Sequence, residues 1–311
     1  MPSHGSQIAA FYAGWEGPRQ PEQDIFATGD PEAIAASVEL FCARSLGSPI
    51  ERYEFFVSGV LSVHGLRLVD GRRVVVKAVR RSFGATFLAA VQTVQAHLAA
   101  RAFPCPKPVL GPTALEQGIA VVEELLDRGA RADARDPCIR RQMAFMLARQ
   151  VNLSRRFVSL DGLKPSLLAS PSPEALWPEP HESRFDFVAS SGGAEWIDEL
   201  AWSARERLAD ITEDRVVAHA DWRAEHMRFE GEEIVATYDW QSLAVGSEPA
   251  LLGQIGYGFT TDWSIEQARR TPTVEEFRAF IADYEAARGR DFSPAERQTV
   301  DAAWVVATAY G

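Results

Sequence analysis

Two aspartates in the last third of the chain, Asp221 and Asp239, have the setting of a catalytic carboxylate pair. Asp221 lies in His219-Ala220-Asp221-Trp222-Arg223-Ala224-Glu225-His226, directly after the apolar run Val216-Val217-Ala218. Met227 to Phe229 and Ile234 to Tyr238 then read as two strands joined across Glu230-Gly231-Glu232, and this hairpin ends at Asp239-Trp240. A hairpin returns the chain to its starting point, so the residue after the second strand should lie beside the loop before the first. Asp221 and Asp239 are therefore expected to converge, with His219 and His226 nearby. Carboxylates placed this way can divide labour. One orients, or accepts the proton of, an attacking hydroxyl; the other holds Mg²⁺ on phosphates. The same His and Asp side chains also suit zinc or manganese in a metal-dependent hydrolase.

Lys77 is the next candidate. In the strand-like run Arg73 to Val79, alternation places Val75, Lys77 and Val79 on one face and Val74, Val76 and Ala78 on the other. The run thus reads as buried on both sides, and a buried ammonium needs a partner. Either the lysine sits at a sheet edge and snorkels to water, or it reaches nucleotide phosphates.

These side chains need a scaffold. Residues 1–28 are rich in Gly, Pro and Gln without a period and read as an N-terminal arm lacking any predicted element. Asp30-Pro31-Glu32 starts a helix with an N-cap, a proline in the first turn and an acid at the positive end; it stops near Gly47. Strands follow at Tyr53 to Val57, Leu61 to Leu68 and Arg73 to Val79, with Asp70-Gly71 as a hairpin turn. Thr86 to Arg101 is helical, with Phe87, Val91, Val94 and Leu98 on one stripe. Phe103-Pro104-Cys105-Pro106 ends that helix, and Gly118 to Leu126 reads as a further strand. A polar segment runs to Asp136, and from Arg140 the chain is mainly helical apart from a Pro-rich stretch, Pro165 to Pro180. The expected fold class is α+β with two lobes: a small antiparallel-sheet lobe over residues 29–125 and a larger, mainly helical lobe over 126–311.

Composition bounds the function. The 311 residues are 46% hydrophobic and 24% charged, the balance of a globular protein. No apolar run reaches the ~20 residues that span a bilayer. The N-terminus lacks a charged start followed by an apolar core, so a cytoplasmic protein is expected. Three scattered cysteines give no zinc or disulfide spacing. A net charge of -11 excludes a basic nucleic-acid footprint and is compatible with a cationic small-molecule partner.

His219-x-Asp221 followed by Asp239-Trp240 resembles the catalytic loop and metal motif of the aminoglycoside phosphotransferase and choline kinase superfamily, relatives of protein kinases. The resemblance runs from about Tyr53 to Thr308. Ser58-Gly59 is similar to the family's nucleotide-covering loop, Val74-Val75-Val76-Lys77 to its lysine strand, and Val121-Val122-Glu123-Glu124-Leu125 to the hinge whose backbone meets adenine. Phe103 to Pro106, Gly246-Ser247-Glu248-Pro249 and Tyr284 to Pro294 resemble later family segments. The resemblance implies a bilobal protein-kinase-like fold and an ATP- and Mg²⁺-dependent kinase. Its acceptor would be a hydroxyl of an aminoglycoside-like, amino-sugar or other small metabolite. Asp221 would be the catalytic base or orienting group and Asp239 the Mg²⁺ ligand. Lys77 would hold the α- and β-phosphates, with Ser58, Gly59, Glu123, Glu124 and Leu125 binding ATP. His219 would brace the loop.

Three departures accompany it. His226 stands where the family places an asparagine metal ligand; it either ligates metal, as a softer donor than an amide oxygen, or braces the loop. The small-lobe helix offers Gln92 and Gln95 where a glutamate should pair with Lys77. Ser247 and Leu251-Leu252 occupy the region of an expected acid after Gly246. A catalytically impaired nucleotide-binding module is the alternative these departures raise. Glu195, Asp198 and Glu199 read as a solvated helix face or as an attractor for a cationic substrate. Arg131, Arg135, Arg140 and Arg141 read as solvated, and most of the eight tryptophans as core.

Overall fold

The structure, a computed structural model, describes residues 3–13, 19–166, 176–177, 192–208, 215–264, 266 and 270–311. It divides into two units, residues 1–99 with 106–126, and residues 100–105 with 127–311.

The first unit opens with helices α1 (Gly5–Phe11) and α2 (Gln20–Phe26), inside the stretch where the sequence shows no period. Each is seven residues long, too short for a helical stripe to stand out. Burial of Ile8 and Ile25, rather than propensity, holds them. Helix α3 (Pro31–Phe41) begins where its cap predicts, the Asp30 carboxylate accepting the Ala33 N–H at 3.1 Å. It runs on through a π-turn, Cys42–Leu46, and ends at Gly47 with φ 72°. Strands β1 (Ile50–Ser58), β2 (Ser62–Leu68) and β3 (Arg73–Val79) come next, then α4 (Ala85–Ala99), β4 (Pro108–Leu115) and β5 (Gly118–Glu124). They form one antiparallel sheet ordered β1-β2-β3-β5-β4. Central β3 is buried on both faces, as its alternation implies. Val74, Val76 and Ala78 share a core with Ile8, Ile34 and Val38 of the N-terminal helices. Lys77 lies on the opposite face, between Val75 and Val79. Strand β4 escaped the sequence reading because Pro108, Gly111 and Pro112 break it up; it is an edge strand, where proline is tolerated.

In the second unit α5 (Pro137–Ser154) is capped by Asp136, which accepts the Cys138 N–H at 2.7 Å. Helix α6 (Glu195–Glu206) and strand β6 (Arg215–His219) precede the hairpin β7 (Met227–Glu230) and β8 (Glu233–Thr237). Strand β9 (Leu243–Ser247) then pairs antiparallel with β6. Helices α7 (Glu248–Gly258), α8 (Val274–Arg288) and α9 (Pro294–Tyr310) complete the unit. Capping boxes at Thr273/Glu276 and Ser293/Glu296 start the last two. Helix α9 packs on α7 and α6, and α8 on α5.

Several side chains differ from their expected solvated state. Arg135 pairs with Glu276 at 3.3 Å, Arg140 with Asp283 at 2.8 Å, and Arg131 with Asp262, so these arginines tie the region before α5 to later segments. Trp222 and Trp240 are buried, but Trp196, Trp202 and Trp263 are exposed. Within the Pro-rich stretch, residues 167–175 and 178–180 lie outside the described residues; Trp177 donates to Asp198 at 3.0 Å. No helix of the described residues is long and apolar enough to cross a membrane.

Candidate active site

Strand β6 has fully buried Val216, Val217 and Ala218 and ends at His219, so the loop that follows leaves from a fixed point. The His219 N–H donates to the Gln150 Oε1 at 3.2 Å, and its ring Nε2 donates to the Tyr238 carbonyl at 2.8 Å. The ring is buried edge-on against Trp222 and Trp240, with centroids 5.7 and 5.4 Å away. Burial first, and then the neighbouring His226 ring, push its pKa down. A neutral ring donating from Nε2 is a brace, and it ties the loop's start to the end of the hairpin.

Asp221 follows two residues later with a side chain 39% exposed, and Arg223 Nη2 lies 3.2 Å from its Oδ2. His226 folds back so that Nδ1 donates to the Asp221 carbonyl at 3.0 Å, while Nε2 lies 3.9 Å from Asp239 Oδ2. The Tyr238 N–H donates to the His226 carbonyl at 2.8 Å and clasps the end of β8 to the end of the loop. Asp239 then takes a left-handed conformation, φ 60° and ψ 47°, which aspartate tolerates better than most residues. Ser242 Oγ donates to its Oδ2 at 3.2 Å.

The outcome is a cluster. Asp221, His226 and Asp239 each offer one ligand atom, all within 4.8 Å of one another. Ligand atoms at ~2.1 Å on one cation lie ~3–4 Å apart, so a small inward shift of these side chains would let them share one. The two carboxylates fit Mg²⁺. His226 fits it less well: Arg223 Nε and Nη2 both approach its Nε2 at 3.4 Å, so a guanidinium already faces the lone pair a metal would use. Nothing in the sequence marks Arg223, because an arginine two residues after the aspartate looks like any surface charge. Gln150 escaped too, although a fully buried glutamine on a helix needs partners; it donates to Val217 O at 3.3 Å and Ser154 Oγ at 3.0 Å. The turn at Phe103-Pro104 belongs to this unit. The Pro104 carbonyl accepts from Thr237 N and Oγ1, and Phe103 packs edge-on against Trp240.

In the first unit Lys77 is 5% exposed and its Nζ lies 2.7 Å from Glu123 Oε1. The lysine's carboxylate partner comes from strand β5, not from helix α4. Gln95 donates to the other oxygen of Glu123 at 2.9 Å and to the Pro106 carbonyl at 2.8 Å, whereas Gln92 donates to the Leu110 carbonyl at 2.9 Å. Glu123 therefore spends its side chain on Lys77. The N–H groups of Glu124 and Leu125 donate to the Lys107 and Arg73 carbonyls at 2.8 and 3.1 Å. Ser58 Oγ donates to buried Glu22 Oε1 at 2.7 Å, anchoring the β1–β2 turn to α2. At Gly59 a side chain would meet nothing within 4 Å, so that turn faces open space.

Residues 55–290 match the model of the phosphotransferase enzyme family. Among solved structures, macrolide 2′-phosphotransferase MphH from Brachybacterium faecium is 19% identical, with a TM-score of 0.55 over 85% of this chain and 87% of that one. Amicoumacin kinase hAmiN, solved in complex with AMP-PNP, Ca²⁺ and Ami, is 11% identical, with a TM-score of 0.62 over 88% and 86%. An aminoglycoside-3′-phosphotransferase of type VIII is 17% identical, with a TM-score of 0.54 over 88% and 98%. At such identities the likeness concerns the fold. No curated protein matches the chain.

Proposed function

This chain belongs to the phosphotransferase enzyme family and is a phosphotransferase, and we propose that it moves the γ-phosphoryl group of ATP to a hydroxyl of a small molecule. The observation that carries this reading is the cluster of Asp221, His226 and Asp239, with ligand atoms within 4.8 Å of one another. Asp221, the more exposed carboxylate, orients the acceptor hydroxyl and takes its proton. Arg223 and the carbonyl bond from His226 keep that carboxylate and its loop in place. Asp239 holds the metal, and Mg²⁺ bound there would neutralise charge on the phosphate oxygens. Lys77, oriented by Glu123, holds the α- and β-phosphates. Positioning and charge neutralisation then supply most of the rate, since phosphoryl transfer asks little covalent work of the protein.

An acidic protein favours a cationic acceptor, and the aminoglycoside and macrolide relatives make hydroxylated antibiotics and amino sugars the acceptors to screen first. The test is an acceptor screen that follows ATP consumption, then two variants. Asp221→Asn should cut turnover by about 10²- to 10⁴-fold while ATP still binds. Asp239→Asn should also weaken Mg-ATP binding. Near-normal turnover in Asp221→Asn with a confirmed acceptor would remove the assigned role.

A further inference from the structure

The second unit contains a cavity of about 530 Å³ that Asp221, His226 and Asp239 do not line. It lies along α5, the end of α8 and the first residue of α7, and its size falls within the ~300–1,000 Å³ of small-molecule pockets. Four arginines line it, Arg149, Arg155, Arg288 and Arg290, against a single acid, Glu248. In a protein of net charge -11 that local excess is unusual.

The hydrogen bonds sharpen the point. Glu248 is 1% exposed and accepts from Tyr284 Oη at 2.6 Å, Arg288 Nη2 at 2.8 Å and Arg155 Nη2 at 3.3 Å. One carboxylate thus serves two guanidinium groups. The Tyr284 phenol adds no negative charge, because burial and then Glu248 push its pKa well up. Arg290 is occupied by Glu296 at 2.7 Å, and Arg149 donates to the Arg101 carbonyl at 2.9 Å. Arg288 is the telling residue: its side chain is 9% exposed, and its Nη1 is buried with no hydrogen bond among the described residues. A buried charged donor left unbonded is costly. Two guanidinium groups sharing one carboxylate leave an excess positive charge that water would not offset, whereas an oxyanion would. Phe145, 51% exposed, supplies an apolar lining residue.

We propose that this cavity binds a small organic anion, its phosphate or carboxylate group against Arg288 and Arg155 and its apolar part against Phe145. Inorganic phosphate and citrate, titrated separately at constant ionic strength, test it by thermal unfolding and calorimetry. Stabilisation by at least one of them should saturate. Arg155→Gln and Phe145→Glu, both at partly exposed positions and so expected to fold, should each weaken it by about tenfold or more. General exclusion of these salts from the protein surface would act equally on all variants, so it cannot mimic that loss. Phosphate alone would assign the site to phosphoryl groups and citrate alone to carboxylates. A non-saturating shift, or one unchanged in both variants, overturns the proposal. So does an effect lost in Arg223→Gln but kept in Arg155→Gln, which would put the anion at the catalytic cluster.

Discussion

Lys77 and His226 show how much a single residue's meaning depends on its neighbours. Lys77 lacks the helix glutamate that the family resemblance implies, yet it is buried against Glu123 at 2.7 Å. Breaking a buried pair leaves an uncompensated charge, so Glu123→Gln should cost about 3–5 kcal/mol by chemical denaturation. Replacing both partners, as in Lys77→Met with Glu123→Leu, should recover much of that stability while ATP affinity stays low. A loss under about 1 kcal/mol in Glu123→Gln would mean that water screens the pair. For His226, Nδ1 braces the Asp221 carbonyl and Nε2 faces both Arg223 and Asp239. If Nε2 ligates metal, His226→Asn should shift preference from Mn²⁺ toward Mg²⁺, because an amide oxygen is the harder donor. If the residue only braces the loop, the same change lowers stability and leaves metal preference alone. Metal titrations of both proteins separate the two.

At the scale of elements, close helix packing decides where small residues must stay. Gly253 of α7 faces α9, and a Cβ there would run into the Val300 carbonyl and lie 2.7 Å from the Ala303 Cβ. Gly253→Ala gains about 1 kcal/mol of helix propensity, but overpacking against backbone costs about 1–3 kcal/mol, so a net loss is expected. Gly258, in the same helix, would place its Cβ no nearer than 3.8 Å from the Thr261 Oγ1. Gly258→Ala should therefore be neutral or slightly stabilising. Thermal unfolding of the two variants side by side checks this, and equal effects would refute the packing account.

At the scale of the whole molecule, buried neutral histidines set the response to acid. In the first unit His64 is fully buried between Tyr53 and Ser62, and burial pushes its pKa down to about 3. In the second unit His219 is shifted in the same direction by the same cause. The unfolded chain protonates these rings below their ordinary pKa of ~6.5 while the folded state does not. Stability is therefore complete above that value and falls as pH drops, by up to about 1.4 kcal/mol per pH unit per ring, for His64 until about pH 3. Urea midpoints at about pH 7.5 and about pH 5.5 should show the loss before carboxylates begin to titrate. His64→Gln should flatten it; an unchanged pH dependence would exclude His64 as a source.

The sequence by itself determined what is local in physical origin. The Asp30 cap, the Asp70-Gly71 turn and the two-sided burial of β3 follow from neighbours within a few residues. So does the hairpin that carries Asp239 back toward Asp221, because strand pairing and turn chemistry act over short range. Only tertiary structure decided the rest. Glu123 became the partner of Lys77 because adjacent antiparallel strands place it there, although the two are far apart in sequence. Helices α1 and α2 exist because their few apolar residues are buried against distant ones. Gln150 gained its role only when α5 met the end of β6, and Arg223 when the loop curled its side chain onto Asp221 and His226. The four arginines of the cavity come from α5 and the residue after it, and from the end of α8 and just beyond it, segments more than a hundred residues apart, and no spacing in the sequence records that they meet. Short-range rules write themselves into local pattern; contacts made by packing leave no such trace.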